Sequence, residues 1–373
     1  MSQSANQLST DMHFSQLNEM REYGGAAMCS GLSDAVIQDF LDDGGDLANA
    51  IQRAYDCFVM AKASHSEFLT LDEKTQVKRA QERYTNFYRQ DAINPYVAAG
   101  AAGPWVVSLK GAVIYDCGGY GMLGLGHAPQ MVLDAMNQPH VMANIMTSSI
   151  SQMEFIAILR QEIGHNRTGA EPFASYLCLN SGSEATSVAT RIADINTKNL
   201  TDPGARYAGY EVRGLTLTGS FHGRTDRPAR FSDSTIGNYR KHLASYRDSD
   251  YLLTVDPNDI EALEGTFAAA EAANTFIEAF FMEPVMGEGN PGRSINPDFY
   301  ARARELTRKH GCMLVIDSIQ AGLRAHGVLS IVDYPGFEAL DGPDMEAYSK
   351  ALNAGQFPLS VLALSEQVAA IYR

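Results

Sequence analysis

Leu314-Val315-Ile316-Asp317, an apolar run tipped by an acid, is followed about one crossover unit later by Ala347-Tyr348-Ser349-Lys350-Ala351-Leu352-Asn353-Ala354-Gly355. The run is one of a series. From about residue 105, short β-rich stretches alternate with helical patterns: Trp105 to Leu109, Ala112 to Tyr115, Tyr176 to Leu179, Leu215 to Thr218, Phe276 to Met282 and Cys312 to Ile316. Such alternation predicts a mainly parallel sheet wrapped by helices, an α/β fold. In sheets of that kind the chemistry sits outside the carboxyl ends of the strands. The residues just after each apolar run are therefore the ones to read for function.

Upstream the texture differs. The first 20 residues are polar and read as a frayed end, and from Ser33 to about Ala63 apolar residues recur at helical spacing, broken at Gly44-Gly45. Thr70 and Glu73 form a T-x-x-E capping pattern before an amphipathic stretch reaching about Tyr88, which Asn94-Pro95 ends. Three regions follow: a mostly helical extension over 1–95, a strand-bearing opening segment over 96–150, and a large domain over 151–373. No internal repeat or low-complexity tract interrupts them.

Composition narrows the class. The chain has 373 residues, 45% hydrophobic and 20% charged, enough for a large core and more than one domain. A formal charge of -15 leaves no concentrated basic stripe, which argues against nucleic acid as a partner. The five cysteines are scattered and form no CxxC, fitting a reducing, cytoplasmic compartment. No apolar run approaches the roughly 18 residues of a membrane span. The first basic residue is Arg21, so neither a secretory n-region nor an Arg-rich transit peptide is visible.

The strand ends carry the chemical signals. After Tyr176-Leu177-Cys178-Leu179 comes Asn180-Ser181-Gly182-Ser183-Glu184-Ala185, then a helical pattern. Backbone amides at such a turn, with a helix dipole behind them, can cradle a phosphate, though Ser181 and Glu184 also satisfy an ordinary capping box. Gly219-Ser220-Phe221-His222-Gly223-Arg224-Thr225 holds an aromatic and a histidine between glycines. Phe221 can stack on a flat heterocycle or be core. None of the nine histidines stands at i, i+4 from another, so His222 is not expected to bind metal. Glu283 and Glu288 lie in a loop shaped by proline and glycine; as a glycosidase pair they would need a tryptophan-rich groove, and the chain has one tryptophan. Gly119-Tyr120-Gly121-Met122-Leu123-Gly124 matches G-x-G-x-x-G, but no acid follows about 20 positions on, so a dinucleotide site is set aside. Lys350 and Asp317 point elsewhere. A lysine can hold an aldehyde cofactor as a Schiff base while a carboxylate keeps a pyridine nitrogen protonated, which together suggest pyridoxal phosphate. Either residue alone reads equally as a solvated charge or a strand-end cap.

In their order these elements resemble the class III family of pyridoxal-phosphate-dependent aminotransferases, the fold-type I group that includes ornithine, acetylornithine, 4-aminobutyrate and lysine ε-aminotransferases. The matching pieces are the segment from Lys110-Gly111 to His127-Ala128-Pro129, Asn180 to Ala185, Phe221 to Thr225, Glu283-Pro284-Val285 with Glu288, Asp317 with Gln320, and Ser349-Lys350-Ala351-Leu352. Together they cover roughly residues 100 to 365. The resemblance implies a seven-stranded, mainly parallel sheet and a homodimer. It also implies a cofactor site of Ser181, Gly182, Ser183, Phe221, His222, Glu283, Asp317, Gln320 and Lys350. The amides near Gly182 and Ser183 would hold the phosphate, Phe221 would stack on the ring, Asp317 would pair with its nitrogen and Gln320 with its phenolic oxygen. Lys350, with Asp317, would be catalytic. Glu288 matches a substrate residue that pairs with a C-terminal arginine in the ω-amine members.

The activity so implied moves an amino group from an amino acid or terminal amine to a keto acid such as 2-oxoglutarate. Another reaction on the same cofactor (aminomutase, decarboxylase, phospholyase) would keep every cofactor residue, and an inactive interaction protein is the alternative from another class. Departures from the family pattern are Ser318 where an acid is usual, Ala321 where a threonine is usual, and Arg324 one position early. Only 23 residues follow Lys350, so the family's small C-terminal domain is expected to be missing.

Overall fold

The structure is a computed structural model describing residues 2–42, 45–86, 88, 90–141, 146–167, 169–247 and 249–372. Contacts divide the chain into two compact units, Met1–Pro139 and His140–Arg373. The boundary thus falls between the two drawn from the sequence at 95/96 and 150/151.

The first unit contains helices α1 (Ser2–Glu22), α2 (Asp34–Asp42), α3 (Asp46–Ser64), α4 (Ser66–Leu69), α5 (Glu73–Ala80) and α6 (Gln130–Met136). Its sheet is antiparallel, in the order β1 (Ala98–Ala102), β2 (Trp105–Ser108), β3 (Val113–Tyr115). The runs at Trp105 and Ala112, expected in a parallel sheet, are therefore hairpin strands. The two- and four-residue connections leave no room for a crossover. The polar amino terminus is a helix and not a frayed end. Leu17 and Met20 are fully buried in one core with Ile37, Ile51 and Phe58, so a narrow apolar stripe anchors an otherwise polar sequence. α3 lies against β1 so closely that a Cβ on Gly100 would come 2.3 Å from the Ala54 nitrogen.

The cap at Thr70 also differs. Asp72 caps α5, accepting from the Thr75 amide at 2.9 Å, and Thr70 Oγ1 donates instead to Glu67 O. Glu73 turns inward, where its carboxylate accepts from the amides of Met28 and Cys29 at 2.7 and 2.9 Å. The helix stops at Ala80, short of Tyr88, and gives way to a turn with Arg83 at φ 66°.

The second unit is built on a seven-stranded sheet in the order β4 (Ser175–Leu179), β10 (Ser360–Leu364), β9 (Met345–Tyr348), β8 (Met313–Asp317), β7 (Thr275–Met282), β5 (Glu211–Leu217), β6 (Leu252–Val255). β10 runs antiparallel to both its neighbours, and the other six strands are parallel to one another. Helices α7 (Ile150–Glu162), α8 (Gly182–Thr201), α9 (Asp226–Ala229), α10 (Asp233–His242), α11 (Ile260–Ala272), α12 (Pro297–His310) and α13 (Glu366–Ile371) complete it. β7 shows why two layers of helix are needed. Phe280 and Met282 join a core with Leu263, Phe267 and Phe299 from α11 and α12, while Ala279 and Phe281 join another with Ala185, Ala189 and Val368 from α8 and α13. A run buried on both faces is what a central parallel strand requires. α12 is punctuated fully: Asn296 accepts from the Phe299 amide, Pro297 opens the first turn, and Gly311 closes the last at φ 71°. Among the described residues no helix is long and apolar enough to cross a membrane.

Candidate active site

Because β4, β5, β7, β8 and β9 are parallel, their carboxyl ends open on one edge of the sheet. The residues expected to form the cofactor site stand at or just after these strand ends: Asp317 is the last residue of β8, Gly182 and Ser183 open α8, Lys350 opens a short 3-10 turn after β9, and Phe221, His222, Glu283, Glu288 and Gln320 lie in the loops between.

After β4, Ser181 caps α8, its Oγ accepting from the Glu184 amide at 3.3 Å. The Glu184 carboxylate turns back to the Asn180 amide at 2.8 Å, one residue earlier than a strict capping box. Gly182 and Ser183 are thus the first helical residues, where amides lack intrahelical acceptors and the helix dipole favours an anion. The turn is tightly enclosed. A Cβ on Gly182 would stand 2.8 Å from Ile319, and one on Gly223, at φ +119°, would stand 2.9 Å from Ser183 Oγ.

After β5, the Phe221 amide donates to Glu283 Oε1 at 3.0 Å, and the Gly287 amide donates to Oε2 at 2.8 Å. Glu283 therefore ties the β5 and β7 loops together. Burial pushes its carboxyl up to about 7, the nearby Asp317 charge adding to the rise. His222 is 1% exposed. Its Nδ1 lies 2.8 Å from Asp317 Oδ2 and its Nε2 lies 3.0 Å from Thr216 Oγ1. A carboxylate accepts, so the shared proton belongs to Nδ1. Asp317, 4% exposed, also accepts from the Ile319 amide at 3.1 Å.

Lys350 follows β9 in the left-handed region, at φ 46°. Holding a lysine there stores strain that the surrounding structure must offset. Its Nζ donates to Gln320 Oε1 at 3.0 Å. Burial lowers its pKa, against the opposing pull of Asp317, Glu283 and Glu288. Gln320 is boxed in from the β7 loop, for a Cβ on Gly287 would meet Gln320 Oε1 at 2.2 Å. Glu288 pairs with Arg224 at 3.2 Å, and that guanidinium lies 5.2 Å from the Phe221 ring centroid.

Two participants escaped the sequence reading. Thr216 holds the far side of His222, and nothing marks it among strand threonines. Glu346 did carry a signal, an acid in the otherwise uncharged run Met345-Glu346-Ala347-Tyr348 just before Lys350, a strand buried throughout. Its carboxylate accepts from Ser318 Oγ and Ser330 Oγ, each at 2.5 Å, and from the Ile331 amide at 3.0 Å. Ser318, where the family resemblance expects an acid, thus meets one supplied from the neighbouring strand.

Burial pushes the Glu346 carboxyl up from an ordinary 4.5 to about 7. Between those values the native state holds a proton the unfolded chain has lost, so this group's contribution to stability falls as pH rises through the window. Relative to Glu346→Gln, which is neutral throughout, the wild type is expected to lose on the order of 3 kcal/mol between about pH 4.5 and 7 and to stay level outside it. Urea unfolding at a series of pH values measures the difference. A difference that does not change with pH would contradict the assignment.

The donor set suits one kind of prosthetic group. A partly buried amine shifted toward neutrality, a carboxylate fixed by His222, an aromatic next to His222 in the chain and a helix start opened by Gly182 match an aldehyde, a ring nitrogen, a ring face and a phosphate. These are the features of pyridoxal phosphate, which the residues present can hold.

Comparison with known proteins agrees. Residues 87–373 match the family described as aminotransferase class-III. Ornithine aminotransferase 2 of Staphylococcus aureus is 26% identical over 291 residues, covering 74% of this chain and 64% of the relative. Acetylornithine aminotransferase of Neisseria meningitidis is 29% identical over 290 residues, covering 76% and 64%. The chain therefore spans slightly less than two thirds of the length of these relatives. In fold it is similar to the crystal structure of ornithine aminotransferase from Toxoplasma gondii, with a TM-score of 0.63 at 22% identity over 84% of this chain and 68% of that one. With this match over residues 87–373, more than half its length, the chain belongs to the class-III aminotransferases.

Proposed function

We propose that this protein is a pyridoxal-phosphate-dependent aminotransferase that moves an amino group from an amino acid or terminal amine to a keto acid, with 2-oxoglutarate as the acceptor. The observation that carries the reading is the Lys350 amine, lowered in pKa by burial, hydrogen-bonded to Gln320, and within electrostatic reach of the Asp317 carboxylate. When bound, pyridoxal phosphate supplies an aldehyde for the amine and a ring that accepts electrons.

The chain's own residues would divide the remaining work. Lys350 would carry the cofactor and, once displaced by substrate, move a proton through its neutral Nζ, which burial favours. Asp317 would hold the ring nitrogen protonated, with His222 and the Ile319 amide fixing its carboxylate. Gly182 and Ser183 would bind the phosphate by their amides, with Ser181 setting the turn. Phe221 would cover a ring face, Glu283 would hold the Phe221 amide in register, and Gln320 would face the phenolic oxygen. Glu288, beside Arg224, would contact the substrate. Relatives named for ornithine and acetylornithine support a donor that bears a terminal amine.

A homodimer and a cytoplasmic setting belong to the same reading. Ile150, Met153 and Ile158 are 67%, 63% and 55% exposed along α7, large apolar side chains that a second copy would cover. A dimer mass in solution at micromolar concentration is expected, and a monomer would refute this part. The five cysteines are free thiols, in keeping with a reducing compartment. The function itself is tested by adding pyridoxal phosphate, trapping with borohydride and mapping the modified peptide. Label on Lys350 together with a keto-acid-dependent half-reaction supports it. Label scattered over surface lysines, or no half-reaction across a broad amine panel, refutes it.

A further inference from the structure

We propose that Glu346 is a positioning residue that clamps both ends of the 318–331 loop and thereby holds Gln320 against Lys350. In assigning a purpose to that contact, the inference rests on the function proposed above.

The geometry is a closed circuit. Oε1 of Glu346 accepts from Ser318 Oγ, at the start of the loop, and from the Ile331 amide at its end; Oε2 accepts from Ser330 Oγ. Gln320 stands two residues after Ser318 and binds Lys350 Nζ, and Lys350 stands four residues after Glu346 on the same chain segment. Glu346 is 0% exposed, and a buried carboxyl is costly unless its oxygens are occupied. Here they are occupied by the two ends of one loop.

The loop needs such holding. Leu323 and His326 sit in the left-handed region at φ 63° and 57°, a conformation that persists in non-glycine residues only where neighbours enforce it. Within the loop the Gly322 amide donates to Ser318 O and the Leu323 amide to Val328 O, each at 2.8 Å, so it is also braced internally. Those bonds fix its shape, whereas the Glu346 bonds fix it to the strand that presents Lys350.

Hydrogen exchange on the full chain without added cofactor tests the clamp. Glu346→Ala is expected to speed exchange of the 319–331 amides by about tenfold or more while β7 amides keep their protection. Ser318→Ala should act mainly on 319–322 and Ser330→Ala mainly on 328–331, and these two decide the matter if Glu346→Ala does not fold. Glu346→Gln, whose amide can still accept from one serine and donate to the other, should restore most of the protection. A second readout is the pH midpoint for acylation of Lys350, expected to rise in Glu346→Ala as water reaches Nζ and to stay near wild type in Glu346→Gln. Unchanged loop exchange, acceleration spread evenly over the second unit, or a Glu346→Gln as loose as Glu346→Ala would overturn the proposal. Loop effects as described in a chain whose Lys350 takes no label from pyridoxal phosphate would leave the clamp standing and overturn the function alone.

Discussion

Lys350→Ala is expected to lower amino transfer by on the order of 10⁴-fold or more while leaving the second unit folded. The size follows from two losses at one atom. Nζ is the group expected to carry the cofactor and the group expected to move the proton, and a positioned acid–base alone contributes about 10²–10⁴-fold. The fold should tolerate the change because the lost contact is one hydrogen bond to Gln320, and because burial already opposes the charged amine. The left-handed backbone at φ 46° remains a strain for alanine, so a stability change of only about 1 kcal/mol is expected. Lys350→Arg separates charge from chemistry: a cation would remain, but a guanidinium neither deprotonates nor forms the covalent link. Single-turnover amine transfer, borohydride labelling and thermal unfolding measured together check the argument. An alanine variant that keeps more than about a tenth of the rate would remove Lys350 from its proposed role.

Much of the second unit could be read from sequence because buried parallel strands announce themselves. Thr275 to Met282 and Met313 to Asp317 are dense apolar runs, and the loops after them hold the glycine, proline and acidic residues that such edges collect. The reversal of β10 could not be read, since Ser360-Val361-Leu362-Ala363-Leu364 gives no direction and only the pairing with β4 and β9 sets it. The first unit was harder for physical reasons. Ala98 to Ala102 lacks the β-branched and aromatic residues that mark strands, and its pairing with β2 depends on a two-residue connection. α1 shows only a few apolar residues in a polar sequence, and its stability comes from the core that Leu17 and Met20 enter. At Thr70 a valid capping pattern lost to Asp72 because Glu73 found better donors in Met28 and Cys29. The site residues were individually ambiguous and became specific through their order. Glu346 shows the limit of that method, because its partners at 318 and 330 are far apart in sequence and ordinary in type.

Asp317→Asn is expected to cost on the order of 10²–10³-fold in turnover, with a smaller loss of stability, and the two effects have separate origins. The rate loss reflects the charge. A carboxylate facing a ring nitrogen favours its protonated form, whereas a neutral amide of the same shape does not. The stability loss reflects hydrogen bonding, since Asp317 accepts from His222 Nδ1 at 2.8 Å and from the Ile319 amide at 3.1 Å. An asparagine oxygen can serve one of these well, and turning its amide group toward His222 would set donor against donor unless the imidazole changes tautomer. About 1–3 kcal/mol is the usual cost of leaving one such buried group unsatisfied. Thr216→Val provides the control from the other side of the ring. It removes the partner of His222 Nε2 but leaves the carboxylate, so it should disturb stability by a similar amount and turnover by no more than about tenfold. Steady-state kinetics with urea unfolding on both variants separates the readings. If Thr216→Val slows turnover as much as Asp317→Asn, the effect at 317 is one of packing around His222. If only Asp317→Asn does, the negative charge at the end of β8 is what the reaction uses.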